Sequence, residues 1–393
     1  YRFPLGELEN QLSDSTYNDY LSAFTYPKAP TGMMYQIGVA LPTYNDSGAP
    51  FEVSSELYFG IMMAIEEFNS NHSDVKAFLN YMDTESRPEL AELKMAEFAW
   101  KHHSDIIIGP LFSEVLKSYS MQAELYEIPI LAPLANADSV ALFRNYTFQF
   151  NPSFEVQGKR MAEYAVNELG YDSLAVLAES NGLGAASASA FRYRAQQLGA
   201  HIAYYDVHNL EEQGYDIRDY TQVFTPDTLL IDSLRYVPVD AVYAPFTGIA
   251  AQTLVESLLT DLEAMKSEVN ILGSEEWENV DLDERGMKNN DLSYTPSSDP
   301  GRDSLKVQSF ESDYRLRFNR APSLFSFIGY DAATIALENL MIVGNPVYLK
   351  NALPFYRSTE TYTLDVNFGG EHVNQAVRIR NYFREQEPVY SLS

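Results

Sequence analysis

The stretch 104–138, SDIIIGPLFSEVLKSYSMQAELYEIPILAPLANAD, decides the fold. Asp105 to Ile108 is a short run rich in Ile, stopped by Gly109-Pro110, which suits a fully buried strand followed by a sharp turn. From Glu114 to Tyr126 the apolar residues Val115, Leu116, Tyr119, Ala123 and Tyr126 recur close to helical spacing. Ile128 to Leu131 is a second apolar run, closed by Pro133. Strand, helix and strand make a parallel unit whose two loops, Gly109 to Ser113 and Ala132 to Asn136, leave on the same edge of a sheet. Open parallel sheets bind ligands at that edge.

The same alternation runs outward from it. Tyr35 to Leu41 predicts a strand ended by Pro42, and a helix from about Ser54 carries Leu57, Ile61, Ile65 and Phe68 along one stripe. Val75 to Met82 predicts the next strand, and Ser86 with Glu89 around Pro88 predicts a capping box for a helix ending near His102. After a strand fragment at Tyr146 to Phe150 and a helix from Ser153 to Leu169, a second set of alternations begins. It holds strands at Leu174 to Ala178, His201 to Tyr205, Ala241 to Ala244 and Val269 to Leu272, with helices at Ala185 to Leu198 and around Leu254, Leu258, Leu262 and Met265. Such patterning predicts an α/β protein with two doubly wound parallel-sheet lobes. Glu211 to Asp240 reads as an acidic surface connection, Asp281 to Asp303 as a linker, and Tyr362 to Ile379 around Gly369-Gly370 as a terminal β-hairpin. Residues 1–32 read as an N-terminal extension, with a start that looks processed or truncated.

Composition narrows the chemistry. At 393 residues and 46% hydrophobic content the chain can bury two cores. Without a single Cys it has no disulfide framework, thiol nucleophile or thiolate metal site. A formal charge of -28 argues against nucleic acid and against an anionic membrane surface, since phosphate contacts need clustered Lys and Arg. No apolar run reads as a membrane span.

Motifs for catalysis are weak. Gly182-x-Gly184-x-x-Ser187, with Asp206 about twenty residues on, imitates a dinucleotide-binding turn. Glu179, Ser180 and Asn181 intervene after the strand, however, and Ser187 replaces the third glycine. Asp281-Leu-Asp283-Glu-Arg285-Gly286 imitates a calcium loop but has Arg285 and Leu292 at ligand positions. His102 and His103 fit a helix C-terminus better than a metal site. GxSxG elbows and Walker loops are absent. We expect neither a cofactor nor an enzyme.

The order of YQIGVALP, GIMMAIEEFN, DIIIGPLFS, EIPILAPLANAD, YTFQFNPSFEVQGKRMAEYA, DAVYAPFTG, NILGSEEW and FIGYDAATIALENL resembles the type I periplasmic ligand-binding proteins. The likeness is to the branched-chain amino-acid-binding subfamily of ABC transporters, and it spans about residues 33–393. It implies two lobes joined by three crossovers, 33–149 plus 296–353 and 150–295 plus 354–393, closing by hinge motion on a ligand in the cleft. It also implies a carboxylate subsite at Ser113 and Asn136. For the ligand ammonium it implies the Leu134 carbonyl and Glu275, a carboxylate that needs a cation if desolvated. Leu183 stands where relatives have Tyr, and Phe246-Thr247 stands near another customary aromatic, so the pocket departs from the family pattern. Tyr44, Asn45 and Phe51 lie in the long loop after the first strand and are candidates for the pocket mouth.

The expected function is therefore capture of a small polar ligand, an amino acid or amide. It would take place in the periplasm or elsewhere outside the cytoplasm, with a membrane permease or sensor as partner and a lipid anchor compatible with a missing N-terminus. The alternative is a ligand-free protein-protein module of the same fold, as in lipoprotein regulators of cell-wall synthesis. A nucleotide enzyme at Gly182 to Ser187 ranks third.

Overall fold

The computed structural model describes residues 29–45, 47–224, 236–248, 250–279, 290–296 and 304–382. The chain forms two compact units, Tyr1–Ser153 with Ser298–Ala376 and Phe154–Ser297 with Val377–Ser393, and so passes between them three times.

The first unit is built on a five-stranded sheet in the order β2-β1-β3-β4-β5. Its strands are β1 (Met33–Leu41), β2 (Val75–Asp83), β3 (Ile106–Ile108), β4 (Ile130–Ala132) and β5 (Thr147–Gln149), all paired in parallel. β1, β3 and β4 read as near-continuous apolar runs because helices cover both faces. Helix Glu52–Asn71 turns Leu57, Ile61, Ile65 and Phe68 onto one face of the sheet, where they meet helix Leu324–Val343. On the other face, helices Ala91–Trp100 and Ser113–Tyr126 bury Met95, Phe98, Leu116 and Tyr119. Each such side chain contributes roughly 1.5–3 kcal/mol on burial. Helix Leu324–Val343 has the length and apolarity to cross a membrane, contrary to the reading that no run does, but Ile328, Ala332, Ile335 and Leu340 are spent inside this core.

The second unit repeats the plan. Its sheet runs β7-β6-β8-β9-β10-β13, with β6 (Ser173–Glu179), β7 (His201–His208), β8 (Ala241–Ala244), β9 (Asn270–Gly273) and β10 (Leu292–Tyr294) in parallel and β13 (Arg380–Asn381) antiparallel at the edge. Helices Phe154–Glu163 and Gly184–Gln197 pack on one face, and helix Ala251–Ala264 on the other. Strand order therefore makes β6, β8 and β9 the counterparts of β1, β3 and β4.

Several expectations need correction. The predicted capping box does not form: Glu89 accepts from the Arg87 guanidinium, Ser86 takes a positive φ, and the helix is entered through a turn at Pro88–Leu90. The stretch read as a linker contains β10, held by Asn290, whose Nδ2 donates to the carbonyls of Ser267 and Val269. The acidic connection is more than surface, because Ile217, Val223 and Phe224 enter the core of the second unit. No terminal hairpin forms. Tyr362 to Phe368 stays with the first unit, where β12 (Val366–Asn367) pairs with β11 (Arg357–Ser358) and Phe368 packs edge-on to Phe148, while β13 joins the second sheet. For the same reason 354–376 belongs with the first unit rather than the second: Val373 bridges Gln149, and Asp331 accepts from the amides of Tyr362 and Thr363. The calcium-like loop at 281–286 and most of the N-terminal extension lie outside the described residues.

Candidate functional site

In a parallel sheet every strand delivers its following loop to the carboxyl edge, so each unit has one edge at which candidate residues collect.

In the first unit, β3 is followed by Gly109, whose φ of +100° and the 2.2 Å that would separate an added Cβ from the Ala40 carbonyl leave room for nothing larger. The turn sets Ser113 as the first residue of helix Ser113–Tyr126. Phe112 precedes it in extended conformation and no side chain caps the first-turn amides, which leaves an N-terminus that favours negative charge. The Ser113 hydroxyl is half-buried and takes no partner among the described residues. Leu134 and Asn136, in the loop after β4, are also half-buried. Between them the Ala135 carbonyl accepts from Gln149 Nε2 at 3.2 Å, so a buried glutamine that sequence reasoning passed over sets this loop's course.

The loop after β1 is a small hairpin. Tyr44 bridges Pro50, and the Phe51 amide donates to the Thr43 carbonyl. Asn45 Oδ1 accepts from the Ser47 and Ala49 amides and the Ser47 hydroxyl, so this side chain shapes the turn itself. Tyr44 is exposed, whereas Phe51 stacks on Phe112 with centroids 5.9 Å apart. Phe112, next to Ser113, was missed because its neighbour lies about sixty residues away in sequence.

In the second unit, Glu275 opens the turn after β9. Its carboxylate accepts from Gln157 Nε2 at 3.2 Å, and Gln157 Oε1 in turn accepts from Thr295 Oγ1 at 3.0 Å, which fixes the amide's orientation. Burial pushes the Glu275 carboxyl up to about 7; the Gln157 bond opposes this, and Glu276 and Glu278 add to it. Among the described residues, no cation is one of the groups that shift it. Sequence singled out Glu275 but could not find Gln157 or Thr295, which reach it only through tertiary structure.

Leu183 occupies the residue before helix Gly184–Gln197, makes no side-chain capping bond, and is half-buried. Phe246 is fully buried in the core of the second unit, so its ring anchors the loop after β8. Thr247 is 8% exposed, and its hydroxyl donates to Glu179 Oε1. Ser274 Oγ donates to the Phe246 carbonyl at 2.9 Å, and Trp277 Nε1 to the Ala244 carbonyl at 2.8 Å, tying the loops after β8 and β9 together. The glycines that imitate a nucleotide turn have another reason to be there: a Cβ on Gly182 or Gly184 would lie 2.7 or 2.4 Å from Glu179 Oε1.

Comparison with known proteins agrees with this architecture. Residues 35–226 match the family model described as periplasmic binding protein. No curated protein sequence matches the chain. Among solved structures, a putative branched-chain amino acid ABC transporter protein from Rhodospirillum rubrum is similar at a TM-score of 0.68 and 18% identity, over 89% of this chain and 96% of that one. An ABC transporter substrate-binding protein from Desulfitobacterium hafniense in complex with Leu gives 0.60 and 19%, over 88% and 97%. A solute-binding protein from R. palustris in complex with 4-hydroxybenzoate gives 0.57 and 13%, over 88% and 92%. The fold is thus that of the type I periplasmic binding proteins, two α/β lobes with parallel sheets. In fold the chain is similar to substrate-binding proteins of ABC transporters.

Proposed function

We propose that the chain is an extracytoplasmic solute-binding protein for a small polar ligand, an amino acid or related amide, which it delivers to a membrane permease. Ser113, the uncapped amides behind it and Asn136 hold the ligand's anionic end, while the Leu134 carbonyl and Glu275 hold its cationic end. Leu183 and Thr247 complete the site from the second unit, with Phe246 anchoring their neighbourhood, and Tyr44, Asn45 and Phe51 form its mouth. Capture shifts the population toward a closed state only by the ligand's differential affinity for that state.

Glu275 is the observation that carries this reading. A desolvated carboxylate is costly unless a cation faces it, and among the described residues the groups that bear on it are an amide and two further acids. A ligand ammonium is the partner such a group lacks. The interaction-module alternative offers no comparable role for it, and the similar structures named above are of transport proteins.

Thermal shift of refolded, ligand-stripped protein against amino acids, amides and small acids tests the proposal, because binding to the native state raises the midpoint. A shift with one amino-acid class that Glu275→Ala removes, at unchanged secondary structure, is the expected result. An equal shift in the variant would remove Glu275 from the site.

A further inference from the structure

Glu179, at the end of β6, is 4% exposed. Its Oε1 accepts from the Gly184 amide at 2.9 Å and from the Thr247 hydroxyl, and the same Gly184 amide also reaches Thr247 Oγ1 at 3.2 Å. Its Oε2 is buried and has no hydrogen-bond partner among the described residues. The first amide of helix Gly184–Gln197 is therefore met by the protein's own carboxylate, in a space that Gly182 and Gly184 keep open.

The consequence falls on Thr247. A hydroxyl has one proton and two lone pairs. The proton goes to Glu179 and one lone pair meets Gly184, so what remains toward a ligand is a single acceptor. The loop that carries Thr247 is bonded to the loop that carries Glu275 through Ser274 and the Phe246 carbonyl. Both groups are then acceptors: Glu275 is a carboxylate, and Thr247 has no proton to spare.

We propose that Glu179 is a specificity-determining residue acting through Thr247. By taking the Thr247 proton it leaves Thr247, like Glu275, an acceptor only, which selects ligands that carry a primary amine over acids of the same skeleton without one. The inference rests on the solute-binding reading and narrows it to amine-bearing ligands. Glu179 itself is a positioning residue, since its carboxylate is buried beneath the loop.

The experiment compares matched pairs by calorimetry: L-leucine with 4-methylpentanoate, and L-phenylalanine with 3-phenylpropanoate, with 4-hydroxybenzoate as an acid that has no amine counterpart. The wild type is expected to favour an amine member by tenfold or more, on the order of 1.4 kcal/mol. Thr247→Val should cut that preference about tenfold by weakening the amine member alone, and Thr247→Ser should restore part of it. Glu179→Gln keeps an acceptor for Gly184 and so keeps the fold; the loss of charge on the acceptor should shrink the preference by roughly threefold at an unchanged melting midpoint. A purely structural Glu179 would move the midpoint and leave the ratio alone. An acid bound as well as its amine, or a preference indifferent to Thr247→Val, would overturn the inference and leave the solute-binding reading standing. Silence of every probe at millimolar concentration would overturn the amino-acid reading and this inference with it.

Discussion

The loops after β3 and β8 occupy the same place in two sheets of the same strand order, yet they present hydroxyls of opposite use. Ser113 follows β3 with its hydroxyl unengaged among the described residues, at a helix start that no side chain caps. Thr247 follows β8 with its proton already given to Glu179. The first can donate to an anion, and the second can only accept from a donor. One architecture used twice therefore yields edges of opposite polarity, and in the second unit a single buried carboxylate sets the sign. Strand order places the loops, while the residue at the end of the neighbouring strand decides their chemistry.

The largest effects should come from filling the space that each loop requires. Gly184→Ala puts a Cβ 2.3 Å from the Pro245 carbonyl and 2.4 Å from Glu179 Oε1, and Gly109→Ala adds a Cβ 2.2 Å from the Ala40 carbonyl at a φ of +100°. Each obstacle includes backbone, which cannot rotate aside as a side chain tip can. We expect each variant to lose about 3 kcal/mol or more in urea unfolding. Gly184→Ala should in addition abolish the amine preference by displacing Glu179. If Gly184→Ala kept full stability, the packing of Glu179 beneath the loop would be wrong and the comparison would lose its second half.

Next in size is the pH dependence created by Glu275. Its folded carboxyl titrates near 7, against 4.5 for the unperturbed group, so between these values the folded state holds a proton that the unfolded state has lost. Stability of the ligand-free protein therefore falls as pH rises from about 4.5 to about 7, because the unfolded state binds fewer protons. Glu275→Gln should flatten that slope and raise stability at neutral pH by ~1–3 kcal/mol. Binding has the opposite sign. An ammonium ligand needs the ionised carboxylate, so affinity should weaken as pH drops below about 7, by at most tenfold per unit, with a proton released on binding. Calorimetry in buffers of different ionisation enthalpy measures that proton directly. A pH-independent affinity would separate Glu275 from the amine.

How much of this was legible in the sequence depended on whether the signal was local. Apolar runs such as Ile106–Ile108 and the stripe Leu57, Ile61, Ile65 and Phe68 carry their period within a few residues, so most of both sheets could be read, along with the separate edge in each unit near which Ser113 or Glu275 stands. The capping box failed because Ser86 and Glu89 had local alternatives of their own, a positive φ and the Arg87 guanidinium. β10 was taken for a linker because three residues between polar neighbours carry no period; Asn290 bonding to Ser267 and Val269 makes it a strand. The residues that set the site's polarity were out of reach for a similar reason. Glu179 and Thr247 stand 68 positions apart, and Gln157 and Glu275 stand 118 apart. In the sequence, Gly182 and Gly184 suggested a phosphate; in the fold they make room for a carboxylate.

The smallest effect should fall on Ser113, and its smallness is itself informative. Its hydroxyl makes no bond within the described residues, so Ser113→Ala should leave urea stability within about 0.5 kcal/mol of wild type. Binding should weaken about tenfold through loss of one hydrogen bond to a carboxylate, with the helix amides still in place. Thr247→Val tests the other side, because its hydroxyl serves Glu179 as well as the ligand. That variant should lose stability by about 1–2 kcal/mol as well as affinity, since a buried carboxylate oxygen gives up a donor. The two edges differ, then, in whether a binding hydroxyl is also a folding hydroxyl. The pair of variants measured by unfolding and by calorimetry separates these roles. If Ser113→Ala cost as much stability as Thr247→Val, the first edge would be pre-engaged too, and the polarity difference between the two units would have to come from charge alone.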